Sequence, residues 1–149
     1  MNKTFTLLAL AILLFGASSC KNTTTNQQNE AKVSHDGTDD LTLKLNSGKR
    51  WEANASTTEG IQKMVLMVDS FQETDSATAY LQLKTDLENV FTSIFKQCTM
   101  TGPAHDQLHN YLFPLKRLFN RLKSEDTVER SKAVLELKEY LKEYSIYFE

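Results

Sequence analysis

The sequence predicts an all-α fold, an antiparallel up-down-up-down four-helix bundle with a short N-terminal β-hairpin. Three observations carry this expectation. Four segments place apolar residues at alternating three- and four-residue spacings, the pattern of a helix with one buried face. Helix-start signals separate those segments: Asp75-Ser76, Thr101-Gly102-Pro103 and Asp126-Thr127. Ahead of them, Leu41-Thr42-Leu43-Lys44-Leu45 alternates apolar and polar residues with period two.

The elements follow in order. Asn46-Ser47-Gly48 is a turn signal, after which Lys49-Arg50-Trp51-Glu52-Ala53 returns as a second strand. Two strands alone are marginal, so Leu43, Leu45 and Trp51 are expected to lean on the helices. Ser56-Thr57-Thr58-Glu59 has the form of a capping box and opens a helix over about 57–73, with Ile61, Met64, Val68 and Phe71 on its stripe. The second helix follows Asp75-Ser76 and aligns Tyr80, Leu83, Leu87, Phe91, Ile94 and Cys98. The third starts near Pro103, since proline is favoured in a first helical turn. It aligns His105, Leu108, Leu112, Leu115, Phe119 and Leu122. Pro114 lies inside it, removes the bond to the Asn110 carbonyl and is expected to kink it. The fourth, capped by Asp126-Thr127, aligns Val134, Leu137, Leu141, Tyr144 and Phe148. Its Lys/Glu-rich face reads as a solvated surface.

Composition narrows the function. The chain has 149 residues, 40% of them hydrophobic, and a formal net charge of −2. That supports one folded domain, over 41–149, and gives no electrostatic footprint for nucleic acid. The two cysteines, Cys20 and Cys98, make no disulfide framework, and C-x-x-C is absent.

Cys20 belongs to targeting. Lys3, an apolar run from Leu7 to Phe15 and small residues up to Ser19 have the form of a secretory signal over residues 1–19. The Ala17-Ser18-Ser19-Cys20 ending resembles the lipobox of bacterial lipoproteins, with Ala17 where leucine is commoner. The resemblance implies cleavage before Cys20 and acylation of that cysteine, hence anchoring in the lipid bilayer. Residues 21–40 are too polar to bury a core and read as a tether, at most about 70 Å long when extended. Lys21 follows the cysteine without the acidic residues of the Bacteroidota surface-export signal. The expected location is the cell envelope, on the outer membrane and facing the periplasm.

Cys98 has a different setting. The stretch from Cys98 to His109 also holds Met100, His105 and His109. His105 and His109 are four apart and share a helical face. Cys98 closes one apolar stripe and His105 opens the next, so the bundle topology brings both to one pole. Met64, Met67 and the Tyr144/Tyr147 pair are expected nearby, under a lid carrying Trp51. Thiolate, thioether and imidazole donors select copper(I), and less exclusively zinc. The expected ligands are Cys98, His105 and His109, with Met100 as a weak thioether and Met64 as its substitute. The alternative is that each packs as an ordinary core residue.

Cys98-Thr99-Met100, Gly102, Ala104-His105, Leu108-His109 and Leu112 resemble a segment of small Bacteroidota lipoproteins, from about Trp51 to Pro114. This implies kinship and little chemistry. The overall shape resembles the cytochrome b562 and c′ bundles. C-x-x-C-H is missing, which excludes covalent haem and leaves noncovalent haem through Met64 and a histidine. A Cys98–His105 nucleophile–base pair lacks an orienting partner beyond Asp106, so binding is expected rather than catalysis. The expected partners are envelope proteins that handle metal. Asp75-Ser76-Ala77 and Asp126-Thr127-Val128 resemble Bacteroidota O-glycosylation acceptors at Ser76 and Thr127, and they are also ordinary helix caps.

Overall fold

The computed structural model describes residues 41–149, and these are mostly helical with no strand among them. The signal segment, Cys20 and the tether lie outside the described residues. Four long helices are present: α1 (Ala55–Ser70), α2 (Ala77–Gln97), α3 (Gly102–Arg121) and α4 (Thr127–Lys142). A single turn, α5 (Tyr144–Tyr147), follows. None of them is long and apolar enough to cross a membrane.

Most residues of the stripes read from the sequence form the core, while Phe71, Cys98 and His105 on those stripes are only half-buried. Ile61, Met64 and Val68 of α1 are buried against Tyr80, Leu83, Leu87 and Ile94 of α2 and the matching residues of α3 and α4. α1 packs on α2 and α4, and α3 packs on α4 and α2. Side-chain bonds show which ends meet. Ser56 Oγ donates to the Gln97 carbonyl (3.3 Å), so the start of α1 lies beside the end of α2. Thr58 Oγ1 and the Tyr144 hydroxyl are 2.9 Å apart, which brings α5 to the same pole. At the other pole, Tyr80 meets Ser131 (3.1 Å).

Several boundaries differ from expectation. α1 begins after Asn54 rather than Ser56. Asn54 Oδ1 accepts from Thr57 Oγ1 (2.7 Å), and Ser56 turns away toward α2, so Ser56 and Glu59 form no capping box. α1 ends at Ser70, where Phe71 becomes extended and sets its ring edge-on to Tyr80 (4.9 Å). α3 runs through Pro114 as one element. Tyr144 and Phe148 stay buried although α4 stops at Lys142.

The turn at Asn46–Lys49 is closed by two backbone bonds (2.8 and 3.0 Å), with positive φ at Ser47 and Gly48. That backbone matches the right-handed twist of a tight hairpin. No ladder grows from it. Residues 51–53 pair instead with the segment after α5. Trp51 N–H donates to Tyr147 O (2.7 Å), Glu149 N–H to Trp51 O and Ala53 N–H to Glu149 O (both 2.9 Å). The first arm is held by Trp51 Nε1, which donates to Lys44 O (2.6 Å), and by Gln107, whose side-chain oxygen accepts from Lys44 N (2.7 Å). Leu43 and Trp51 pack on the core, while Leu41 and Leu45 are exposed.

Gly60 marks the closest approach of α1 to α2. A Cβ placed there would stand 2.5 Å from Ile94 Cγ1, and Ile94 is itself buried. Alanine would gain about 1 kcal/mol of helix propensity, but the helices or Ile94 would have to move. Gly60→Ala is expected to lose about 1–2 kcal/mol net, read as a lower urea midpoint. Parental stability would show that Ile94 can turn aside at no cost.

Candidate metal centre

The short link between α2 and α3 builds this pole. Cys98 ends α2 in an extended conformation, and Thr101 is extended as well. Gly102 then takes φ +64°, which glycine adopts without Cβ strain, and the chain enters α3. Pro103 follows in the first turn, where its missing N–H costs nothing. This path folds the first turn of α3 back onto the last turn of α2.

Cys98 Sγ and His105 Nδ1 are consequently 3.6 Å apart, within thiol–imidazole hydrogen-bonding distance. Both residues are half-buried. One turn further along α3, the His109 ring lies 4.2 Å from the His105 ring, tilted by 49°. Phe95 and Phe113 flank His109 at 5.5 and 5.3 Å, and Phe95 continues to Phe91 at 4.9 Å. The result is a file of rings along the α2–α3 seam, with a thiol at its outer end.

The remaining expected donors lie elsewhere. Met100 is half-buried and lines a recess of about 590 Å³ with Trp51, Pro103, Ala104 and Arg50. Cys98, His105 and His109 do not line that recess. Met64 is fully buried in the core. It lies two helical turns beyond Ser56, about 12 Å along the helix axis, and not at the pole. Among the described residues, no three His, Cys, Asp or Glu side chains gather closely enough to hold a metal ion. The structure thus joins two of the expected donors, stacks a third behind them, sets Met100 against a recess those three do not line and buries Met64 in the core.

The ring partners of His109 were not anticipated. Phe113 follows His109 by four residues and Phe95 precedes Cys98 by three, so helical spacing contained the signal.

Where α3, α4 and α5 converge, the phenols are held in their neutral form. Burial, and then the neighbouring phenols and Glu143, push Tyr111 far above its ordinary value. Burial followed by the charge of Glu143 does the same for Tyr140. Burial raises Tyr144, against a hydrogen bond to Thr58 that lowers it.

No protein-family model, curated protein or solved structure matches the chain. A thiol and an imidazole within 4 Å offer a soft and a borderline donor to one ion.

Proposed function

We propose that the chain is a lipid-anchored protein of the cell envelope that binds a soft metal ion, copper(I) foremost, at the Cys98–His105 pair. The observation that carries this reading is the 3.6 Å approach of sulfur to imidazole nitrogen across the α2–α3 link. His109 is the next donor, one turn away, and Met100 is a weak thioether donor two residues from Cys98. Zinc is the second ion. Haem ligation through Met64 would require the core to open. The scaffold is an antiparallel up-down-up-down four-helix bundle with an N-terminal arm. Cys20 carries the acyl chains, and envelope proteins that handle metal are its partners.

The test is competition for copper(I) between the reduced full chain in detergent and a chromophoric chelator. About one ion per chain is expected, with Cys98→Ser and His105→Ala each weakening binding by more than about tenfold. His109→Ala and Met100→Leu should do less. Cys20→Ser should leave the affinity unchanged. Unaltered affinity in Cys98→Ser would refute the assignment and favour a structural or protein-interaction module of the envelope.

A further inference from the structure

Resting on the soft-metal reading, we infer that the Cys98–His105 pair is half of a tetrahedral site, and that a second copy of this chain supplies the other half when the ion is zinc(II). The argument starts from the bite of the pair. Zinc bonds of about 2.3 Å to sulfur and about 2.0–2.1 Å to nitrogen, set at a tetrahedral angle, hold the two donors about 3.6 Å apart. In a linear arrangement the same bonds would separate them by about 4.3 Å. The observed separation is 3.6 Å. The pair, held by an ordinary thiol–imidazole contact, can accept a tetrahedral ion with little movement, and such an ion needs two more ligands.

The described residues of one chain do not provide them. No third Cys, His, Asp or Glu joins the pair in a group able to hold an ion. His109 stands in ring contact with Phe95, His105 and Phe113, outside any such group, and Met100 lines the recess beside Trp51. The pair itself is open to a partner. It sits at a turn between helices, and Thr99, Thr101, Gly102 and Pro103 beside it are exposed.

A two-fold axis through the ion satisfies the coordination. Each copy gives one sulfur and one nitrogen, and the resulting S₂N₂ set is one that zinc takes. The surface around the pair does not oppose this approach. Phe95 offers an apolar contact, 36% exposed, and the exposed Lys96 and Asp106 carry opposite charges. Copper(I) takes fewer donors, and the pair joined by His109 or a rotated Met100, rather than the pair alone in a line, can serve it within a single chain. The two ions would then differ in what they assemble: copper loads a monomer and zinc joins two.

Cobalt(II), a spectroscopic stand-in for zinc, is titrated into the reduced full chain in detergent, and mass is followed by density-matched sedimentation with zinc. The expected endpoint is about one ion per two chains, with thiolate-to-cobalt absorption and a doubled protein mass. Cys98→Ser and His105→Ala should abolish both. Thr99→Arg, which sets like charges against each other across the axis and leaves the pair intact, should suppress the mass increase while copper(I) binding persists. One ion per chain at unchanged mass would overturn the shared site and leave the soft-metal reading standing. No uptake of cobalt or zinc would also overturn the shared site, and the copper titration separately decides the soft-metal reading.

Discussion

Tyr111→Ala is expected to lower stability by about 3–5 kcal/mol, the range for deleting a fully buried aromatic ring. Tyr111 stands where α3, α4 and α5 converge. Its ring stacks on Tyr140 (5.2 Å, 12°) and meets Tyr144 and Phe148 edge-on (5.5 and 6.0 Å). Its hydroxyl donates to the Leu141 carbonyl (3.1 Å), and Tyr140 donates back to the Tyr111 carbonyl (2.8 Å). Phe148 stacks in turn on Tyr144 (5.0 Å), and the backbone on either side of Phe148 holds Trp51. Removing the Tyr111 ring therefore loosens the C-terminal segment and the arm together. Tyr111→Phe keeps the ring and loses only the hydrogen bond, so it should cost about 1 kcal/mol. Urea midpoints measure both. An alanine variant within about 1 kcal/mol of the parent would contradict this account.

The same residue gives a pH dependence of defined sign. Burial raises the Tyr111 phenol, so the folded state keeps its proton where the unfolded chain, titrating near 10.0, releases it. Such a group contributes its full stability below the unfolded value and loses it progressively as pH rises toward the folded one. Stability should thus be level to about pH 9 and fall by about pH 11. Tyr140 and Tyr144, both raised mainly by burial, add to the fall. Tyr111→Phe should flatten the slope without abolishing it.

Much of this was legible because a buried helical face leaves a period in the sequence. Ile61, Met64 and Val68, or Leu108, Leu112 and Leu115, are buried as their spacing requires. Side-chain pattern does not specify backbone pairing. The alternation over 41–45 suggested a strand partner for Trp51, but residues 147–149 supply it through main-chain bonds that any sequence can make. The site divides along the same line. Cys98 and His105 end and open stripes at one pole, and the structure brings them together. Met100 lies in the link between helices, where no period tells which way a side chain points. Met64 shares the core stripe, but pattern alone did not weigh its depth along the helix. Arg130 was missed, although it precedes Val134 by four residues and so occupies the apolar register of the last helix.

Arg130→Ala should cost about 3 kcal/mol or more, because it removes a buried guanidinium and leaves three carbonyls and the Thr127 hydroxyl without their donor. Only 3% of Arg130 is exposed. One terminal nitrogen donates to the carbonyls of Ser124 (2.7 Å) and Glu125 (3.2 Å). The other donates to Asp75 O (3.4 Å) and Thr127 Oγ1 (3.0 Å). The guanidinium also lies 5.1 Å from the centre of the Tyr80 ring, a cation–π contact. These bonds fasten the α1–α2 link, the α3–α4 link and the first turn of α4 to one another. They do so against the dipole of α4, which disfavours a cation at its N-terminus. Lysine keeps the charge but not the planar fork, so Arg130→Lys should recover less than half of the loss. The fastening lies at the pole remote from Cys98, and distant sites with no shared partner contribute independently. Arg130→Ala should lower the urea midpoint and leave the copper(I) affinity of the still-folded chain unchanged. A parallel fall in affinity would show that the two poles are coupled through the bundle.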